Sequence, residues 1–186
     1  MTTLLAWVLA ASSTLVPGQP HDDLASAIAT RVEAEQPLFK GDTDRRKTAS
    51  FLLAISFRES TLHADAVGDK HHGKPTSFCA FQIHLPGSSK TAEGWTGDDL
   101  VQDPDKCVTA AMHMIRISMK ICPEHPLAWY AEGPNGCTSK RAQAISRDRL
   151  AIAQRLVRDV KDVKVQEEEP VSMMWPLGAL KNNAAW

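Results

Sequence analysis

The 186-residue chain has few aromatic residues, no excess of charge of either sign and no long uninterrupted apolar run. Phe, Trp and Tyr make up only 6% of it, which argues against the strands of an all-β fold and favours an aliphatic core on helices. The 21 Lys and Arg balance 22 Asp and Glu without forming a basic block, so nucleic acid is not an expected partner. What is present, 43% apolar and 23% charged residues, suits one domain with short appendages.

The longest apolar stretch lies within residues 1–16 and is too short to favour a stable transmembrane helix. It resembles the core of a secretory signal, although no Lys or Arg precedes it. A buried or interfacial first helix is the alternative. We therefore interpret residues 1–20 as a signal peptide or an apolar N-terminal helix, residues 21–165 as the domain, and residues 166–186 as a linker and short tail.

Cysteine is also scarce, and its four copies lie in the middle of the chain: Cys79, Cys107, Cys122 and Cys137. An even number suits two disulfides in an oxidising compartment. A zinc site is the alternative, but no two cysteines stand two residues apart as in a zinc finger. Three pairings are open, and we adopt Cys79 with Cys107 and Cys122 with Cys137 as a working choice.

Apolar periodicity predicts a mainly α chain. We expect helices over 21–35, from Asp42 or Thr43 to about Ser60, from Asp103 onward, briefly after Leu127, and from about Ser139 to Val165. Asp103 is the expected cap of its helix, with Pro104 in the first turn. Residues 62–75 are polar and predict a loop, and residues 78–84 predict a short β-hairpin or extended segment.

Glu59 is the first candidate for chemistry, because it follows Ile55 by four residues and Ser56 by three on the apolar face of the second helix. Apolar surroundings disfavour a charged carboxylate, so an acid there can keep the proton that a general acid needs. The alternative is an ordinary surface carboxylate that pairs with Arg58 or Lys70 in water. Position alone favours this alternative.

Five short motifs surround Glu59 in a fixed order. They are Ile55-Ser56-Phe57-Arg58-Glu59-Ser60, Ala66-Val67, Ala80-Phe81-Gln82-Ile83, Asp103-Pro104 and Ala128-Trp129-Tyr130-Ala131-Glu132-Gly133. Together they resemble the soluble lytic transglycosylases, relatives of goose-type lysozyme, over residues 48–137. No single motif is specific, so the order carries the resemblance. It implies a mainly α, lysozyme-like helical domain.

The resemblance also implies roles for individual residues. Glu59 matches the family's catalytic acid, and Ser60 matches the neighbour that helps to hold the substrate. Gln82 matches the amide of the motif usually written Gly-Leu-Met-Gln, in which Phe81 is a further substrate-binding position. Tyr130 matches the tyrosine of the Ala-Tyr-Asn motif, whose hydroxyl lies close to the acid. These types suit the task, since an amide can donate to and accept from an N-acetyl group and a phenol can donate to a carboxylate.

The chain departs from the family pattern in three places. Cys79 stands where the family has Gly, and Ala131 stands where it has Asn. The segment between Val67 and Cys79 is longer than usual and carries His71 and His72. These two histidines are either solvated or contacts for the sugar chain or its peptide stem.

The mechanism that the resemblance implies uses one carboxyl group and no metal or cofactor. Ordinary glycosidases need two carboxylates, and the candidate second acids lie in no recognisable motif: Asp65, Asp69, Asp98 and Asp99. Glu59 is expected to protonate the oxygen between N-acetylmuramic acid and N-acetylglucosamine, with help from the muramic N-acetyl group. It then acts as a base on the 6-hydroxyl of the same sugar, which closes an anhydro ring.

The expected partner is the glycan strand of peptidoglycan, bound by a monomer in the periplasm or outside the cell, or by a protein carried in a phage virion. Three alternatives stay open. A lysozyme-like hydrolase would cut the same bond with water, a catalytically silent module would only bind the glycan, and a metal protein would use free cysteines and histidines.

Overall fold

The computed structural model describes residues 3–161, with His71 described by its backbone alone. These residues form α1 (Thr3–Leu15), α2 (Asp22–Ala34), α3 (Arg46–Ser60), β1 (Val67–His71), β2 (Lys74–Phe78), β3 (Ile83–His84), α4 (Gly97–Gln102), α5 (Pro104–Ile121), α6 (Ala128–Glu132), a 3₁₀-helix (Gly133–Thr138) and α7 (Lys140–Asp159). The prediction of a mainly α chain with a short hairpin is confirmed.

Helix α3 is the centre of the core. Every residue from Thr48 to Ser56 is buried, so this stretch has no solvated face. Helix α7 packs along α3, and α1 and α2 also contact it. Because the helix is surrounded for more than two turns, its polar side chains reach solvent only near its ends. The last turn, which holds Glu59 and Ser60, is one of these places.

The start of α3 lies later than predicted, at Arg46 rather than Asp42 or Thr43. Asp42 is buried in the preceding loop, where its carboxylate accepts hydrogen bonds from the backbone N–H groups of Lys47 (3.0 Å) and Thr48 (2.8 Å). An acidic side chain satisfies two free N–H groups of the first turn in this way. Asp42 is therefore a cap that acts from outside the helix.

Helix α1 is built from the stretch for which the sequence leaves open a signal or an apolar helix. Its apolar side chains belong to the main core, and Trp7 and Val8 are almost fully buried. The Trp7 indole N–H donates to the carbonyl of Val160 (3.1 Å), and the Arg46 guanidinium lies 5.8 Å from the Trp7 ring. Trp7 thereby joins the first helix to the end of the last. None of the helices in residues 3–161 is long and apolar enough to cross a membrane.

The hairpin spans residues 67–78, upstream of its predicted position, and most of it falls in the segment 62–75 that was expected to form a loop. Strands β1 and β2 pair antiparallel, with Gly68 opposite Ser77. The connecting residues, His72 and Gly73, have φ values of +49° and +78°, as the two-residue type I′ turn requires. The segment 78–84 contributes only β3, which pairs with the end of β2. A His-Gly pair is a weaker turn signal than Asn-Gly, which explains the missed hairpin.

The helix caps and disulfides follow the predictions more closely. Asp103 accepts from the N–H groups of Asp105 (3.0 Å) and Lys106 (3.3 Å), with Pro104 at the first helical position. Ser139 caps α7, which ends at Asp159; residues 162–165 of the predicted helix and the tail 166–186 lie outside the described residues.

Both disulfides have the working pairing. Cys79–Cys107 ties the turn after β2 to α5, and Cys122–Cys137 ties the end of α5 to the 3₁₀-helix. Two disulfides are typical of periplasmic or extracellular proteins. They also leave none of the four thiols free, which removes the ligands that the metal-protein alternative needs.

Replacing Trp7 by Ala tests whether α1 is an integral part of the domain. The change empties a large buried volume and removes the bond to Val160, so we expect a loss of about 3–5 kcal/mol in the free energy of unfolding. Urea denaturation followed by circular dichroism measures it. Thr14→Ala, on the exposed side of the same helix, is the control and should change this free energy by less than about 0.5 kcal/mol. A Trp7→Ala midpoint equal to that of the wild type would show that α1 is dispensable.

Candidate active site

Glu59 lies in the last turn of α3 with 27% of its side chain exposed. Its Oε1 atom accepts a hydrogen bond from Nη2 of Arg149 in α7, at 3.0 Å. Arg58, one of the two partners considered from the sequence, instead forms a two-bond ion pair with Asp148 (2.8 and 2.9 Å). Glu59 is thus neither a free surface carboxylate nor an unpaired buried one. It is a half-buried acid that a neighbouring helix holds by charge.

Arg149 is the member of the site that sequence reasoning missed. Only 13% of its side chain is exposed, and its Nε atom is buried without a hydrogen-bond partner among the described residues. It lies beyond residues 48–137, the span of the resemblance. A signal was present, since Arg149 follows Ile145 by four residues and precedes Ile152 by three, which places a charge on the apolar face of α7. A search for a charged residue on the apolar face of α3 identifies Glu59 in the same way.

Tyr130, in α6, lies near Glu59 but does not donate to it. Its hydroxyl donates to the carbonyl of Phe81 at 2.5 Å. Burial raises the pKa of Tyr130, and the negative charge of Glu59 raises it further. The phenol therefore keeps its proton at any pH at which the protein functions, and it remains a donor. Ala131, at the position of Asn in the motif that the sequence resembles, is partly buried beside it.

Ser60 connects the end of α3 to the turn that follows β2. Its hydroxyl lies within hydrogen-bonding distance of two carbonyl oxygens, those of Ser56 (3.0 Å) and Ala80 (2.9 Å). These contacts fix the turn next to Glu59. In this structure the Ser60 hydroxyl is hydrogen-bonded to the protein's own backbone.

The turn over residues 79–82 has an unusual backbone that its side chains stabilise. Cys79 and Gln82 have φ values of +60° and +48°, in the left-handed region that favours glycine. Cys79 stands where the motif that the sequence resembles has Gly, so the residue differs while the backbone shape still suits glycine. Its disulfide to Cys107 holds the turn against α5.

Gln82 is held by the same turn. Both its backbone N–H and its Nε2 donate to the Cys79 carbonyl, each at 3.0 Å. Its Oε1 lies so close to Gly68 that a Cβ added there would stand 2.2 Å away. Gly68 of β1 therefore has to be glycine for Gln82 to keep this position.

Phe81 has a different place from the one expected of a substrate-binding residue. Its ring is fully buried in the main core, so the ring packs against protein and cannot contact a glycan. Its connection to the site is the carbonyl oxygen that accepts from Tyr130. The expectation is corrected accordingly: Phe81 supports the site through its backbone.

The candidate second acids differ in their surroundings. The Thr96 hydroxyl and backbone N–H hold the pKa of Asp99 below its usual range, as part of a capping box at the start of α4. Asp65 and Asp98 are exposed. Asp69 lies beside Gly68 with φ +44°, and its Oδ2 accepts from the Ser77 hydroxyl at 2.8 Å. Among the four, only Asp69 is adjacent to a residue that contacts Gln82.

The two loop histidines lie in the hairpin. His71 contributes backbone to β1, and His72 occupies the exposed turn. Glu59, Ser60, Gln82 and Tyr130, by contrast, meet at the end of α3 and the turn 79–82. The site is thus formed by three segments that are distant in sequence, together with Arg149.

The chain matches no protein-family model, and comparisons with curated proteins and with solved structures give no match either. Support for a function comes instead from two sources in this chain. One is the order of its motifs along the sequence. The other is the set of contacts around Glu59.

Gly68→Ala tests the contact that positions Gln82. The new Cβ would displace the amide and break its bond to the Cys79 carbonyl, so we expect the free energy of unfolding to fall by about 1 kcal/mol. In a Gln82→Ala background the conflict is gone and the same change should cost less than about 0.5 kcal/mol. Urea denaturation of the four proteins measures both costs. Equal costs in the two backgrounds would rule out the contact.

Proposed function

We propose that the protein is a lytic transglycosylase, which cleaves the β-1,4 bond between N-acetylmuramic acid and N-acetylglucosamine in peptidoglycan. Glu59 is its general acid and then its general base. The observation that carries the proposal is the state of this one carboxyl group: it is 27% exposed at the end of a buried helix, and a nearly buried arginine donates a hydrogen bond to it. A catalytic acid needs access to substrate and a fixed orientation at once.

The neighbours of Glu59 support the same interpretation. Tyr130 is close enough for the Glu59 charge to affect it, and it fixes the backbone of Phe81. Gln82 is the residue after Phe81, and its side-chain amide lies against Gly68 in β1 of the hairpin. A carboxyl group and an amide on neighbouring segments suit a sugar that carries hydroxyl and N-acetyl groups.

The backbone at Cys79 supports the link to the transglycosylase motifs. The family pattern has Gly at this position, and this chain adopts a left-handed conformation there despite having Cys. Two short motifs, one ending in Ser60 and one containing Gln82, are thus in contact through a turn whose backbone at Cys79 suits glycine. A chance match of letters would not be expected to bring both to one place.

The proposed reaction proceeds in two steps at one carboxyl group. Protonated Glu59 gives its proton to the glycosidic oxygen, the bond from that oxygen to C1 of N-acetylmuramic acid breaks, and the muramic N-acetyl oxygen stabilises the positive charge at C1. The Glu59 carboxylate then accepts the proton of the 6-hydroxyl, whose oxygen bonds to C1 and closes the 1,6-anhydro ring. Glu59 ends protonated, as it began, and no water is consumed.

Hydrolysis of the same bond is the second candidate, and one observation favours it. Asp69 is one residue from Gly68, which contacts Gln82, and the Ser77 hydroxyl holds its carboxylate. A second carboxylate near the catalytic acid is what a hydrolase uses to activate water or to stabilise the positive charge. In the transglycosylase, Asp69 has no such role.

Both enzymes would act on the peptidoglycan of the cell wall from the periplasm or from outside the cell. A virion-carried protein would use the same chemistry.

Glu59→Gln is the decisive variant for this proposal. It keeps the size of the side chain but cannot give up or take up a proton at working pH, so cleavage of purified peptidoglycan should fall by about 10²–10⁴-fold. Mass spectrometry of the soluble fragments should show anhydro ends from the wild type, lighter by one water than reducing ends.

Two controls accompany this digestion. Glu33→Gln, on the exposed face of α2, should release fragments at the wild-type rate. Asp69→Asn should also keep the wild-type products if the enzyme is a transglycosylase. Reducing ends that depend on Asp69 would establish the hydrolase, and undiminished cleavage by Glu59→Gln would refute both candidates.

A further inference from the structure

We propose that Arg149 is a positioning residue for Glu59, which fixes the direction of its carboxyl group and balances its charge between the acid step and the base step. The proposal rests on the proposed function of Glu59. Its basis is a direct contact, the 3.0 Å bond from Nη2 of Arg149 to Oε1 of Glu59.

The contact belongs to a row of four charges across two helices. Arg58 and Glu59 are adjacent on α3, and Asp148 and Arg149 are adjacent on α7. Asp148 joins the two pairs, since its Oδ2 accepts from Arg58 at 2.9 Å and from Arg149 at 3.3 Å. Arg58 and Asp148 are 44% and 38% exposed, whereas Arg149 is 13% exposed. The row therefore runs from solvent to the inner side of Glu59.

A purely stabilising role explains Arg149 poorly. A buried donor without a partner is costly, and the Nε atom of Arg149 is such a donor. Replacing a buried ion pair by apolar side chains often leaves a protein equally or more stable. An apolar residue at position 149 would continue the stripe of Ile145 and Ile152 and avoid this cost. The charge is better explained by what it does for Glu59.

The two carboxylate oxygens of Glu59 have different surroundings. Oε1 is bonded to Arg149, and within residues 3–161 no hydrogen bond to Oε2 is formed. Oε2 is therefore the oxygen that would carry the proton to the substrate. Arginine stays charged at every accessible pH, so Arg149 cannot replace Glu59 as the acid. It can only orient the group and stabilise its negative charge after the proton has left.

Several charged and polar groups surround Glu59. Arg149 and Asp148 lie on α7, Tyr130 lies on α6, and Arg58 is its neighbour on α3. Helix α1 has no ionisable side chain, and Arg31 of α2 is paired with Asp105. Arg149 is the one of these groups that donates a hydrogen bond to the carboxylate.

Arg149→Met and Arg149→Lys test this role by kcat and KM on soluble peptidoglycan fragments. Arg149→Met should lower kcat by about 10²-fold with KM nearly unchanged, since misplacing a catalytic group has effects of this size. Arg149→Lys restores the charge without the planar fork, so it should recover part of kcat.

Arg158→Met is the control, since Arg158 is ion-paired with Asp159 on the same helix but lies more than two turns from Arg149. It should keep the wild-type kcat and KM. Wild-type kcat in folded Arg149→Met would overturn the positioning role, and so would wild-type kcat in Arg149→Lys if the Met variant does not fold. Loss of activity in Glu59→Gln alongside such a result would leave the proposed function standing, whereas an active Glu59→Gln would overturn that function itself.

Discussion

The packing of α7 along α3 is the constraint on which the candidate site depends. Helix α3 is buried from Thr48 to Ser56, so a polar group that must reach solvent can stand only near its ends. Glu59 occupies the last turn, and α7 presents Arg149 to it from the protein side. The packing that buries α3 also brings Arg149 to one oxygen of the carboxyl group. Orientation of the acid is thus a consequence of how two helices pack, as efficient catalysis requires.

A second constraint is the turn over residues 79–82, which closes the other side of the site. Its left-handed residues are costly for side chains other than glycine. The Cys79–Cys107 disulfide, the Ser60 hydroxyl and the Tyr130 hydroxyl all hold it in place. Ser60 and Tyr130, which the motifs predict to lie at the substrate, are in this structure the residues that hold the turn in shape. Under the proposed function, a change at either residue would affect both stability and binding.

The sequence predicted what depends on local patterns. Apolar periodicity identified the long helices, and Asp103-Pro104 identified the start of α5, because caps and amphipathic faces involve residues a few positions apart. The hairpin was missed because its turn is His72-Gly73 rather than a stronger signal. Arg149 was missed for a deeper reason. Its position on an apolar face is visible in α7, but its partner lies 90 residues away, and only the packing of the two helices brings them together.

The most direct test of the account is a structure of the Glu59→Gln variant with a soluble peptidoglycan tetrasaccharide bound. The account predicts that the glycosidic oxygen between N-acetylmuramic acid and N-acetylglucosamine lies roughly 3 Å from the amide of residue 59, within hydrogen-bonding reach. Arg149 should remain on the opposite side of that side chain. A glycan bound away from the end of α3, or one whose glycosidic oxygen faces no group of residue 59, would contradict the central claim.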